Sequence, residues 1–102
     1  RRYLWFRKQR LSQFSFKKED TLLDLGCGDG LNITVLKQMG MSLITGLDIS
    51  DYLLKKAKSK HPDIQFVRSS AEKLPFKNNE FDIVLVGVFL NLHSTICVPG
   101  FR

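Results

Sequence analysis

A chain of 102 residues holds one domain. Its 43% hydrophobic and 25% charged residues are the composition of an ordinary globular protein, which excludes collagen-like, disordered and disulfide-scaffold classes. The net charge of +6 is unevenly placed, and no apolar run approaches the roughly 18 residues of a membrane span.

The chain begins with Arg1 rather than Met and shows no signal segment with a small-residue cleavage site, which reads as a trimmed or partial start. Residues 1–20 form a basic lead-in. Within residues 1–18, Arg1, Arg2, Arg7, Lys8, Arg10, Lys17 and Lys18 are interleaved with Tyr3, Trp5 and Phe6, and there is no acid. Cations mixed with aromatics can mark nucleic-acid contact. The favoured reading is an amphipathic helix whose Leu4, Trp5 and Leu11 pack on the domain while its cations stay solvated.

Strand and helix patterns then alternate, which predicts a parallel sheet with helices on its faces. Residues 21–25 are a short apolar run ended by glycines, a buried strand. Residues 31–39 follow at helical spacing, with Leu31, Val35 and Met39 on one side and Gly40 as the stop. Residues 42–47 make a second strand closed by Asp48. Ser50 is a good N-cap for a helix to about Lys60, ended by His61 and Pro62. Lys55, Lys56, Lys58 and Lys60 fall on that helix's outer face and end, where cations suit the dipole. Residues 64–68 are a third strand, 76–80 polar turn material and 81–86 an apolar fourth strand. Ile83-Val84-Leu85-Val86 has the continuous apolar character of a strand buried on both faces.

Cys27 and Cys97 make no disulfide framework, and neither belongs to a CxxC or Cys/His cluster. Reduced thiols in a cytoplasmic setting and no metal are therefore expected. Cys27 lies in the chain's most informative feature, the loop between the first strand and first sheet-packing helix. Gly26, Gly28 and Gly30 stand there at alternate positions, where a sharp turn without Cβ atoms lets a ligand lie against the main chain. In open α/β sheets such ligands sit outside the carboxyl ends of the strands. A phosphate-binding P-loop would end in Gly-Lys-Ser/Thr, whereas Gly30 is followed by Leu31 and Asn32. A dinucleotide fingerprint needs a small residue at the sixth position, which here is Leu31. Asp24 and Asp29 would repel a pyrophosphate, so a cationic ligand suits this loop better.

Four motifs in order carry a family resemblance: Asp24-Leu25-Gly26-Cys27-Gly28-Asp29-Gly30, Gly46-Leu47-Asp48-Ile49-Ser50, Ser70-Ala71-Glu72-Lys73-Leu74-Pro75-Phe76, and Phe81-Asp82-Ile83-Val84. Over residues 21–93 the chain resembles the N-terminal half of a class I S-adenosylmethionine-dependent methyltransferase, in the small-molecule branch of ubiquinone/menaquinone-biosynthesis type. The resemblance implies a Rossmann-like α/β fold and S-adenosylmethionine as cofactor. It implies that Gly26, Cys27, Gly28 and Gly30 present backbone to the cofactor's methionine end, and that Asp24 holds its ammonium group directly or through water. Asp48 would accept hydrogen bonds from both ribose hydroxyls, Ile49 would cover one adenine face, and Ala71 and Glu72 would lie near the adenine edge. Ser70 stands where the family often has Asp, and its hydroxyl would bind an adenine amino group more weakly than a carboxylate does. Read singly, Asp24 is as well explained as a cap of the following helix and Asp48 as a turn acid before Ser50.

Methyl transfer from a sulfonium is an in-line displacement in which the protein supplies alignment and excludes water. A general base is needed only where the acceptor must lose a proton. His93, after the fourth strand where related enzymes often carry His, is the weak candidate, and a loop histidine without chemistry is favoured over it. The absence of an Asn/Asp-Pro-Pro-aromatic motif argues against methylation of nucleobase amines. A complete domain of this family has about seven strands in the order 3-2-1-4-5-7-6. The tail, residues 94–102, reads as offering neither a fifth strand nor an acceptor pocket, which leaves the fourth strand as a bare edge open to pairing. The primary expectation is a methyltransferase acting on a small-molecule acceptor. The alternatives are a catalytically incomplete fragment that binds cofactor or a partner, and an RNA-directed methyltransferase using the basic lead-in.

Overall fold

The computed structural model describes residues 2–70, 75–76, 80–86 and 96–99, with 2–6 and 96–99 described by backbone alone. In chain order the elements are α1 (Arg2–Leu11), β1 (Leu22–Leu25), α2 (Leu31–Gln38), β2 (Ile44–Asp48), α3 (Asp51–Lys60), β3 (Gln65–Arg68), β4 (Ile83–Val86) and β5 (Ile96–Pro99). The strands form one sheet in the order β3-β2-β1-β4-β5. β3, β2, β1 and β4 run parallel, as the alternating pattern predicts.

Side chains alternate between the faces of a strand, so the register sorts the core into two layers. Leu22, Ile44, Ile83 and Leu85 face the side where Leu11 of α1, Ile33, Val35 and Leu36 of α2, and Leu54 of α3 close over them. Leu23, Leu25, Leu47 and Val84 face the other side, with Phe81 and Phe76 in edge-to-face contact at 4.9 Å. Asp24 lies in register with Gly46 and Leu85 and therefore belongs to the helix-covered layer.

The four parallel strands start one or two residues later than expected, and at β1 and β4 the residues left out, Thr21 and Asp82, bond to each other. The Thr21 N–H and hydroxyl donate to Asp82 Oδ2 at 2.9 and 3.1 Å, and the Asp82 N–H donates to Thr21 Oγ1 at 3.0 Å. This brace sets the register of β1 against β4. Of the expected Leu31, Val35 and Met39, Val35 is buried and Met39 packs against the same core, while Asn32, Ile33 and Leu36 complete the buried face of α2. Leu31 instead lines the cleft beside the glycine loop. α3 follows expectation, with Ser50 Oγ accepting from the Leu53 N–H, a cap of about 1 kcal/mol.

Two expectations are corrected. The tail does supply a fifth strand: β5 pairs antiparallel with β4, from Ile83 opposite Pro99 to Val86 opposite Ile96. β4 is consequently an interior strand, and the edge expected to be bare is covered. Ile96, Cys97 and Val98 include two β-branched residues suited to a pleated surface, and Pro99 stands at the end of the outermost described strand, a position where proline is tolerated. The lead-in is a helix packed on α2, but its cations are not all solvated. Arg7 is 9% exposed and donates from Nη1 to Asn32 Oδ1 at 2.7 Å.

Gly46 is where the fold tolerates least. A Cβ there would stand 2.7 Å from the Phe66 ring and 2.9 Å from Cys27 Sγ. Overpacking of this kind costs about 1–3 kcal/mol. Gly46→Ala should lower the urea midpoint accordingly, and Phe66→Leu in the same chain should recover part of the loss. An unchanged midpoint for Gly46→Ala would contradict the packing described.

Candidate functional site

The chain leaves β1 toward β2 and β3 on one side and returns to β4 on the other. The sheet order thus reverses at β1, the place where open α/β sheets bind ligands at their carboxyl ends. The loop that follows β1 is built for close approach. Gly26, Gly28 and Gly30 have φ of 76°, 57° and 91°, all left-handed, a run that side-chain-bearing residues resist. The Leu47 carbonyl accepts from both the Gly26 and Cys27 N–H groups, at 2.8 and 2.9 Å, and draws the loop onto the end of β2. Asp48 then clamps it, with Oδ2 accepting from the Gly28 N–H at 2.8 Å and Oδ1 from the Ser50 N–H at 2.9 Å.

These elements enclose a cleft of about 460 Å³, within the ordinary range for small-molecule sites. Arg7, Gly26, Cys27, Gly28, Asp48 and Ile49 are among its lining residues, and Leu31, Asn32 and Leu53 line it further. Ile49 is 65% exposed, a large apolar side chain held open to solvent at the rim. Asp29 also lines the cleft, its charge partly offset by Lys60 Nζ at 3.2 Å.

Asp24 is fully buried beneath the loop, and neither carboxylate oxygen has a hydrogen-bond partner among the described residues. It does not cap α2, whose N-cap is Gly30 without a side-chain cap, so that reading of the sequence is corrected. Burial pushes its pKa up to about 7. The Arg7 charge opposes the shift, the Asp48 carboxylate adds to it, and the Asn32 amide opposes it. Burial, reinforced by the nearby Asp24 and Asp48 charges, pushes the Cys27 thiol far up. Cys27 therefore stays a protonated, small side chain at a tight turn, not a nucleophile.

The structure thus brings Gly26, Cys27, Gly28, Asp48 and Ile49 to one cleft, with Asp24 directly behind it. Asp48 does serve as the turn acid before Ser50, while each of its oxygens keeps a further lone pair. Gly30 points away from the cleft, toward His61 Cδ2 and the Ala57 methyl. Ser70 does not line the cleft; it follows Ser69, whose N–H donates to the Asp48 carbonyl and extends the β2–β3 pairing. Ala71, Glu72 and His93 lie outside the described residues.

Two contributors carry no local sequence signal. Arg7 enters from α1, 17 residues before Asp24. His61, 6% exposed at the end of α3, meets Thr34 Oγ1 through Nε2 at 2.8 Å, and Thr34 Oγ1 in turn donates to the Gly30 carbonyl at 3.1 Å. Burial and the Lys37 charge lower the His61 pKa, so the ring is neutral at physiological pH. It braces the loop from below. The inward turn of Arg7 also removes one of the cations on which the nucleic-acid reading of the lead-in rests.

No helix among the described residues is long and apolar enough to cross a membrane. The methyltransferase-domain family matches residues 23–95, a span that holds β1, the glycine loop, Asp48 and the later motifs. Phthiotriol/phenolphthiotriol dimycocerosates methyltransferase of Mycobacterium tuberculosis is 36% identical over 84 residues, covering 79% of this chain and 29% of that protein. Demethylmenaquinone methyltransferase of Chlorobaculum tepidum is 31% identical over 80 residues, covering 78% of this chain and 33% of that protein. The crystal structure of an S-adenosylmethionine-dependent methyltransferase from Mesorhizobium loti superposes with a TM-score of 0.68 at 28% identity, covering 76% of this chain and 36% of that one. The chain spans about a third of the length of the curated relatives it matches. With the sheet order, the glycine loop and the acid after β2 in the family's arrangement, the chain belongs to the methyltransferase-domain family.

Proposed function

We propose that this chain carries the cofactor-binding half of an S-adenosylmethionine-dependent methyltransferase that acts on a small-molecule acceptor. The observation that carries this reading is the Asp24 carboxylate, fully buried directly behind the glycine loop and with no close hydrogen-bond donor among the described residues. An orphaned buried acid is costly, and a ligand cation in the adjoining cleft relieves that cost. S-adenosylmethionine offers two cations, a sulfonium and an ammonium, and no phosphate for Asp29 and Asp48 to repel.

The fit extends to the remaining groups. Gly26, Cys27 and Gly28 offer a cradle without bulky side chains to the methionine end. The unused lone pairs of Asp48 suit two vicinal hydroxyls, and the exposed Ile49 suits an aromatic face. Asp24 gives the cleft floor its negative potential, which low-dielectric surroundings strengthen. When bound, the cofactor supplies an electrophilic methyl group on sulfur. The chain's own part is to hold that group in line and exclude water, worth about 7–11 kcal/mol where alignment is complete. A small-molecule acceptor agrees with the relatives named for demethylmenaquinone and for phthiotriol dimycocerosates. The nucleic-acid alternative has lost Arg7 as a surface contact.

Asp48→Ala should weaken S-adenosylmethionine binding at least tenfold by calorimetry, and His93→Ala less than twofold; equal losses would overturn these roles. A second outcome concerns Asp24, whose folded pKa of about 7 lies above the ordinary aspartate value of 3.8. Between about pH 4 and 7 the folded chain keeps a proton that the unfolded chain has lost. Its contribution to stability therefore falls as pH rises, by about 1 kcal/mol per unit. Asp24→Asn should match the wild type in urea denaturation near pH 4.5, exceed it at pH 7.5, and bind cofactor about tenfold more weakly. A variant that parallels the wild type across this range would contradict the burial described.

A further inference from the structure

His61 ends α3 as a buried histidine, and its ring lies against the far end of the glycine loop. A Cβ on Gly30 would stand 3.2 Å from its Cδ2. Nε2 meets Thr34 Oγ1 at 2.8 Å. The Thr34 hydroxyl has one proton and donates it to the Gly30 carbonyl at 3.1 Å, where the Thr34 N–H also arrives at 2.9 Å. The proton between ring and hydroxyl therefore belongs to Nε2, and Nδ1 keeps a bare lone pair. Nδ1 is buried and has no hydrogen-bond partner among the described residues. The relay continues into the cleft, because the Gly30 N–H donates to the carbonyl of cleft-lining Cys27 at 3.1 Å.

A second proton can enter this ring only at Nδ1. It would create a buried N–H with no acceptor and a charge shut away from water. The charged groups that face the ring are Lys37 of α2, Lys60 of α3 and Asp63 beyond α3. Asp63 is held by Lys37 at 2.8 Å, and Lys60 is held by Asp29 of the loop at 3.2 Å. Burial, and then the Lys37 charge, keep the ring's pKa below its ordinary 6.5; the Gly30 backbone and Asp63 oppose the shift, and Lys60 adds to it. Once acid does charge the ring, hydrating Nδ1 requires the ring to move, and its contact with Gly30 makes that a movement of the loop. Resting on the cofactor reading above, we propose that His61 is a positioning residue for the cofactor loop, holding it through Thr34 only while the ring is neutral, so that acid disarms the cleft by releasing the loop. The apparent affinity for cofactor then falls with the fraction of chains still braced. Asp24 also weakens binding as it takes up its proton, but through charge and not through the shape of the loop.

Calorimetric titration of S-adenosylmethionine at about pH 7.5 and about pH 5 reads the two proton effects together in the wild type. His61→Gln carries a neutral N–H donor that does not titrate, which leaves the effect of Asp24 alone. The wild type should lose about threefold to tenfold more affinity between the two pH values than His61→Gln does. Thr34→Val, which cuts the relay, should weaken binding about threefold or more at the higher pH, and Thr34→Ser should recover part of that loss. Equal pH profiles for the wild type and His61→Gln would overturn the proposal, as would wild-type affinity in Thr34→Val. Two readings on the wild type need no variant to fold. NMR of the imidazole nitrogens should show the Nε2–H tautomer, and the Gly30 and Thr34 amides should lose exchange protection as the ring titrates below 6.5. The other tautomer, or protection unchanged through that titration, would overturn the proposal. A folded chain that binds no S-adenosylmethionine would overturn the cofactor reading and with it the acid shut-off of binding, and the amides would show separately whether the ring holds the loop.

Discussion

A carboxylate shut away from water, with no close hydrogen-bond donor among the described residues, is the constraint around which this molecule is arranged. Asp24 is the third of the four residues of β1, on the face covered by helices, with apolar Leu85 on one side in register and Gly46 on the other. Desolvation opposes its charge, and the fold provides Arg7 and the Asn32 amide to moderate that opposition. These two residues come from α1 and α2, so seating the lead-in helix and moderating the acid are one event. A site of this kind sacrifices stability for a standing attraction to a cation, the sort of local conflict found where a fold serves a ligand.

The loop above Asp24 is fixed from three directions, and each fixing group is itself fixed. The Leu47 carbonyl holds its first residues, Asp48 holds its middle, and the chain from His61 through Thr34 holds the Gly30 carbonyl. Gly46 lets Phe66 and Cys27 come together beneath it, which no larger residue would permit. Preorganisation on rigid strand ends, rather than on the loop's own rigidity, gives the cleft its shape. The Thr21–Asp82 brace carries the same rigidity from β1 to β4.

What could be read from the sequence was whatever depends on neighbours in the chain. The glycine spacing, the acid closing β2, the Ser50 cap and the alternation of strand and helix all express local geometry, and they led to the cleft and to the family. Arg7 and His61 act across the fold, and no periodicity or motif distinguishes them from a solvated cation and a helix-ending histidine. The face of α2 was read in part: Val35 and Met39 reach the core, whereas Leu31 lines the cleft and Ile33 and Leu36, outside the spacing chosen, carry most of the burial. β5 was missed because Ile96-Cys97-Val98 is too short to carry a pattern; its partner, the unpaired side of β4, is what makes it a strand. Asp48 illustrates a different lesson. Its turn role and its ligand role had been set against each other, yet two carboxylate oxygens have lone pairs enough for both.

The central claim is that a cationic cofactor settles beside a buried acid that is partly protonated when the cleft is free. Calorimetric titration of S-adenosylmethionine at pH 7, in two buffers of different ionisation enthalpy, reads both binding and the proton count. The account predicts saturable binding with net proton release, as the ligand's charge drives Asp24 into its ionised form. Binding without any buffer dependence, or no binding by a chain shown to be folded, would contradict it.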